Sequence, residues 1–162
     1  MKKFFPVILI MIMVITAAAS INQVTNGDVP YPEDFRKWTH IKTGYVGKDN
    51  PGFKFNGGFH HIYGNEKAMQ GYLSGKFPEG SIIAFDVIEG LVQANSNINE
   101  GNRSHVDLMV KDSTKFKETG GWGYEEFNGD SKTQKNTTPA IQTKCFNCHA
   151  SQADYVFSEL RN

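Results

Sequence analysis

Ile82-Ile83-Ala84-Phe85-Asp86-Val87-Ile88 is the stretch on which the fold turns. It is rich in β-branched and aromatic residues, and the turn cluster Gly75-Lys76-Phe77-Pro78-Glu79-Gly80 precedes it. A run of this length and composition reads as a strand, and apolar residues on both faces place it centrally in a sheet. Its neighbours show a different period. Arg103 to Lys111 alternates, with Val106, Leu108 and Val110 on one side and His105, Asp107 and Met109 on the other. That is a half-buried strand, with His105 and Asp107 expected toward solvent. Phe59-His60-His61-Ile62-Tyr63 also reads as a strand, with Phe59, His61 and Tyr63 on one face and His60 and Ile62 on the opposite one. Ile41 to Val46 and Trp122 to Phe127 complete four or five strands, mostly antiparallel.

Short helices and turns fill the gaps. Pro32 and the acids after it suit a helix start within 31–38. Lys48 to Gly52 is a turn cluster, and residues 93–102, rich in Asn and Gly, read as a loop. Asn65 can cap a helix running to about Leu73. Ser113 to Glu118 suggests one helical turn, and 129–138 a polar loop. From Pro139 onward the chain reads as helical, with Tyr155, Val156, Phe157 and Leu160 as a rough apolar face. The expected fold class is α+β: a mainly antiparallel β-sheet with short flanking helices and a helical C-terminal segment.

That segment carries Lys144-Cys145-Phe146-Asn147-Cys148-His149, including the only two cysteines of the chain. Cys-x-x-Cys-His is the pattern of c-type haem attachment. Two thiols add to the two vinyl groups on one edge of the porphyrin, and a helical turn brings both sulfurs to that edge. The next residue falls beneath the macrocycle, where an imidazole can bind iron. Three other readings fit less well. A redox dithiol expects a βαβ context. A zinc site expects a second ligand pair, yet no Cys remains and the adjacent His60 and His61 cannot supply one. A disulfide closing so tight a loop gains little. The cofactor expected is one covalently attached haem c, on Cys145 and Cys148, with His149 as the iron ligand.

Lys2 and Lys3, the apolar run Phe4–Ile15 and then Thr16-Ala17-Ala18-Ala19 read as a signal peptide over 1–19, cut before Ser20. The apolar run is about a dozen residues, short of the roughly 20 that cross a bilayer, so membrane contact is expected only if the segment stays uncleaved. Export to a bacterial periplasm agrees with thioether attachment outside the cytoplasm. Residues 20–30 read as a flexible lead and 31–162 as one domain. Formal net charge is zero and no basic stripe exists, which excludes nucleic acid as a partner. Aromatics make up 12% of the chain, including twelve Phe, which suits a domain wrapped around an apolar macrocycle.

The attachment motif lies near the C-terminus, and no methionine follows His149. Ordinary small electron carriers are arranged the other way round. Several segments in order resemble another family: Phe35-Arg36-Lys37-Trp38, His61-Ile62-Tyr63, Ser74-Gly75-Lys76-Phe77-Pro78-Glu79-Gly80, Val110-Lys111-Asp112-Ser113, Gly121-Trp122-Gly123-Tyr124, the haem motif, and Asp154-Tyr155-Val156-Phe157-Ser158. Together, from about Tyr31 to Arg161, they resemble the cytochrome P-460 family, which includes the β-rich cytochromes c-prime. The resemblance implies a mainly antiparallel β fold, usually a homodimer. It also implies one haem c on Cys145, Cys148 and His149, with the other iron face open or capped by side chains. In the P-460 branch a lysine is bonded to the porphyrin and hydroxylamine is oxidised. Here Gly71-Tyr72-Leu73 stand where that lysine is expected, and neither Lys67 nor Lys76 matches its place. The c-prime-beta branch lacks the cross-link and is associated with binding nitric oxide.

Candidates for the open face are His60, His61, His105, Met69 and Met109. His61, on the aromatic face with Phe59 and Tyr63, is preferred. Arg36 lies in a segment resembling a haem-pocket arginine of the family, expected to pair with a propionate or donate to a bound ligand. Three functions follow, because the polarity and access of that face decide what haem does. The first is a five-coordinate protein binding nitric oxide or a similar small ligand. The second is an oxidoreductase acting on hydroxylamine or a related small nitrogen compound, working with a redox partner. The third is an electron carrier with His61 or Met109 as sixth ligand.

Overall fold

The computed structural model describes residues 29–161. The expected signal peptide and all but the end of the expected lead lie outside the described residues. Val29 already belongs to the packed domain rather than to a flexible lead. It is 1% exposed, and its carbonyl accepts the Lys135 ammonium at 2.8 Å.

Five strands form one antiparallel sheet: β1 (Thr39–Val46), β2 (Gly58–Gly64), β3 (Ile82–Val92), β4 (Ile98–Lys111) and β5 (Trp122–Asn128). Each pairs with the next in the chain, so β3 stands in the middle, where its two apolar faces are both covered. Such a meander needs only local connections. Three helices flank it: α1 (Phe53–Asn56), α2 (Glu66–Ser74) and α3 (Pro139–His149). The Asn65 side chain accepts the Ala68 N–H at 2.8 Å and so starts α2, which ends at Gly75 in the left-handed region (φ 78°). Thr138 caps α3 by accepting from the Ile141 N–H, with Pro139 in the first turn.

Alternation along the strands separates two cores. One face carries Val29, Phe35, Ala84, Val106, Leu108, Phe116 and Phe127. The other carries Ile62, Phe77, Ile83, Met109, Trp122 and Tyr124, packed under α2, α3 and the C-terminal segment. Phe127 anchors the first core and Trp122 the second, both fully buried, each stabilising the fold by on the order of 2–3 kcal/mol. The first face also buries Asp86 completely. Its carboxylate accepts from Arg36 Nε at 2.9 Å and Arg103 Nε at 2.6 Å, so a buried charge is doubly paired.

Several sequence expectations change. Residues 98–102 are strand, not loop: Val92 pairs with Ile98 and Leu91 with Asn99, and only 93–97 turn. An established ladder carries poor strand formers along with it. The lead helix shrinks to a 3-10 turn at Phe35–Lys37, and the turn expected over 113–118 falls at Lys117–Thr119. Neither segment is long enough to nucleate an α-helix. The largest correction is at the C-terminus, where helix stops at His149. Beyond it the chain reverses through Ala153–Tyr155 and runs extended. The Asp154 carboxylate accepts the Phe77 N–H at 2.7 Å and Lys111 Nζ at 2.9 Å, and these distant partners override local helical preference.

Candidate functional site

The second face of the sheet carries a cavity of about 390 Å³, closed by α3 and the C-terminal segment. Sheet register builds its floor in rows. Ile62, Phe85, Asp107 and Glu126 lie side by side across β2 to β5, and Ile83, Met109 and Tyr124 form the next row. Opposite stands one side of α3. Ile141, Cys145, Cys148 and His149 fall at i, i+4, i+7 and i+8, the spacing of a single helical face, and all four line the cavity. Val156, Phe157 and Ser158 of the extended tail complete the wall.

The chemistry of the wall identifies the kind of group it fits. Cys145 is half-buried and Cys148 exposed, and the two thiols are free. Burial pushes the Cys145 thiol up to about 11, with the carboxylates of Asp107 and Glu126 acting in the same direction. A thiol held protonated is a poor nucleophile at neutral pH. Burial lowers the His149 pKa, so its imidazole is neutral at pH 7. Its Nδ1–H donates to the Tyr155 carbonyl at 2.7 Å, which leaves the Nε2 lone pair for a metal. Tyr124, with its ring 5.2 Å from that imidazole, buries a hydroxyl that has no partner. Desolvation first, then Cys145, raises its pKa well above the usual phenol range.

An apolar slot with two thiols and one oriented imidazole at its wall, and an orphan hydroxyl inside, fits a haem. When bound, that group supplies a redox-active iron able to take a small ligand. Cys145, Cys148 and His149 are thus brought together as the spacing required. Arg36 and His61 are not. Arg36 is held by Asp86 on the opposite face of the sheet, at 2.8 Å through Nη2. His61 lies on that face as well. Its Nδ1 is 2.9 Å from Thr43 Oγ1, and its Nε2 approaches Glu100 at 2.8 Å, off the angle of a hydrogen bond. Strand alternation sends His61 and Ile62 to opposite sides, and Ile62 faces the cavity.

The other candidates divide similarly. Met69 packs against the core beside the cavity, and Met109 forms part of the cavity floor. His60 is on the cavity side, but its Nε2 is taken by the Asn56 carbonyl at 2.5 Å. His105, expected in solvent, is 7% exposed. Period-2 alternation places a residue on a face but cannot say that α3 and the tail cover that face.

Asp107, Glu126, Tyr124 and Phe85 were not singled out from sequence as site residues, because only cross-strand register sets them in adjacent rows. Asp107 keeps 40% of its side chain accessible, yet it borders the cavity with protein on its other sides. That desolvation, and the Glu126 carboxylate opposite, push its carboxyl up to about 8.

The cytochrome P460 family model matches residues 32–158, more than half of the chain. None of the curated proteins compared with the chain matches it. With the family's span covering every strand and the whole cavity wall, the chain belongs to the cytochrome P460 family of haem proteins.

Proposed function

We propose that this is an exported, mono-haem c-type cytochrome that binds nitric oxide or a similar small ligand at a five-coordinate iron. The thioethers form at Cys145 and Cys148, and His149 Nε2 holds the iron. One observation carries the reading: among the described residues that line the cavity, His149 is the only imidazole. Across the cavity the sheet presents Ile62, Ile83 and Phe85, which cannot ligate, and the carboxyls of Asp107 and Glu126 rather than an imidazole, which supports a second iron face without a strong protein ligand. Met109 is the one thioether there, and it is packed within the core cluster. The test is an absorption and resonance Raman spectrum of the ferrous haem-loaded protein before and after adding nitric oxide. A six-coordinate low-spin spectrum that Met109→Leu abolishes would replace this reading with an electron carrier.

A second reading, oxidation of hydroxylamine or a related small nitrogen compound, draws on the protonated carboxyl of Asp107 in the cavity floor. Against it, no lysine lines the cavity among the described residues. Lys67 Nζ donates instead to the Glu79 carbonyl at 2.9 Å, and Tyr72 spends its hydroxyl on Ser158 at 2.7 Å. Mass spectrometry of the haem peptide, with turnover on hydroxylamine, decides between the two. Export rests on the N-terminal segment and a homodimer on the family resemblance; cell fractionation and light scattering test them.

A further inference from the structure

Two carboxyl groups in the cavity floor, with a histidine beside them on the same face of the sheet, are left unused by the haem reading. Asp107 and Glu126 are directly paired across β4 and β5, and His105 stands two residues along β4 on the same face. One ligand atom from each lies within 4.8 Å of the others. We propose that His105, Asp107 and Glu126 form a mononuclear site for a first-row divalent transition-metal ion, open toward the cavity.

His105 carries the argument. It is 7% exposed, and its Nδ1 is 3.0 Å from Ser104 Oγ. Its Nε2 has no hydrogen-bond partner among the described residues and faces the Asp107 carboxylate at 3.7 Å. A buried imidazole fixed at one nitrogen, with the other aimed at two carboxylates, is the arrangement of a metal-ligating histidine.

Ionised together, Asp107 and Glu126 set like charges directly opposite on the ladder, which is destabilising and which a bound cation offsets. Asn136 Nδ2 donates to Glu126 Oε1 at 2.8 Å, which fixes that carboxylate. The nearest further imidazole, His60, is occupied by the Asn56 carbonyl.

Ligand atoms around an ion with bonds of about 2.1 Å lie roughly 3–3.5 Å apart. The widest pair of the trio therefore has to close by up to about 1.3–1.8 Å, within reach of side-chain rotations. One imidazole with two carboxylates suits Mn²⁺, Fe²⁺ or Zn²⁺ better than Mg²⁺ or Ca²⁺. Three protein ligands leave coordination positions open, as in reactive rather than structural centres. The site draws on β4 and β5 alone and shares no residue with the Cys145, Cys148 and His149 set on α3.

The test uses haem-loaded protein, stripped with a chelator and titrated with Mn²⁺, reading free Mn²⁺ by electron paramagnetic resonance and then displacing it with Zn²⁺. The expected result is one equivalent bound, weakened at least about tenfold by Glu126→Gln and by Asp107→Asn, and about tenfold by Asn136→Ala. His61→Gln, on the other face, leaves it unchanged. Circular dichroism checks that each variant folds, and Asn136→Ala, which keeps all three ligands, stands in for any that does not. No bound equivalent, or one that these variants leave intact, overturns the proposal. If the protein emerges without haem, alkylating its thiols before the same titration keeps the two questions apart.

Discussion

The Nδ1–H of His149 points at the backbone carbonyl of Tyr155, 2.7 Å away, and so fixes which nitrogen of the ring faces the cavity. The carbonyl is aimed by two consecutive residues in the left-handed region, Asp154 (φ 43°) and Tyr155 (φ 64°). Such conformations cost on the order of 1–3 kcal/mol each and persist only where surrounding contacts impose them. The Asp154 side chain imposes this one, accepting from Phe77 N–H, Lys111 Nζ and Trp122 Nε1.

Asp154→Ala removes those acceptors and releases the turn. The expected loss is ~1–3 kcal/mol of stability by denaturant titration. Because the Tyr155 carbonyl then drifts from His149, the iron–histidine band in the resonance Raman spectrum of the haem-loaded protein should shift as well. A loss of stability with an unmoved band would show that the turn does not position the imidazole.

Covalent attachment should depend on both sulfurs. Cys145→Ala and Cys148→Ala each leave one thioether at most, and the double variant leaves none. Acid–acetone extraction measures this directly: haem should stay with the wild-type polypeptide and be extracted from the double variant.

Tyr124→Phe deletes a buried hydroxyl that has no partner. An unsatisfied group of this kind costs about 1–3 kcal/mol. The haem-free variant should therefore be as stable as the wild type or up to ~1 kcal/mol more stable in urea. Clear destabilisation would mean that the hydroxyl has a partner in solution.

Asp86 is wholly buried between two arginines on the face away from the cavity. Asp86→Ala leaves those cations without their anion and should cost about 3–5 kcal/mol. The haem spectrum should not change, since the sheet separates the two sites. Arg36→Ala should cost much less, because its side chain is 46% exposed and Arg103 remains. If Arg36→Ala alters the spectrum, its placement away from the haem is wrong.

Burial holds the His60 pKa below its ordinary value. The unfolded chain takes up that proton near pH 6.5, the folded chain only at lower pH. Stability is therefore complete above about pH 6.5 and declines as pH falls toward the folded value. His105 shifts in the same direction and adds to the slope. Asp107, pushed up to about 8, acts in the opposite sense, so the test is the comparison between proteins: on going from pH 7.5 to 5 the denaturation midpoint of His60→Gln should move toward greater stability relative to that of the wild type.

Much of the architecture was legible because it is local. The double-sided apolarity of Ile82–Ile88 marks a central strand, and β3 is central. Asn65 and Pro139 mark helix starts, and both helices start there. His61 and Arg36 show where such reading ends. Alternation correctly separated His61 from Ile62, but which of the two faces meets the attachment helix depends on where α3 docks, and no short-range pattern records that.

By itself the chain determined the candidate attachment set, since Cys145, Cys148 and His149 need only one helical turn to come into line. Tertiary structure alone decided what surrounds them. The pairing of Asp107 with Glu126 and the reversal at Asp154 bring together residues far apart in the chain. Their energies come from ladder register and long-range hydrogen bonds, which exist only once the sheet has closed.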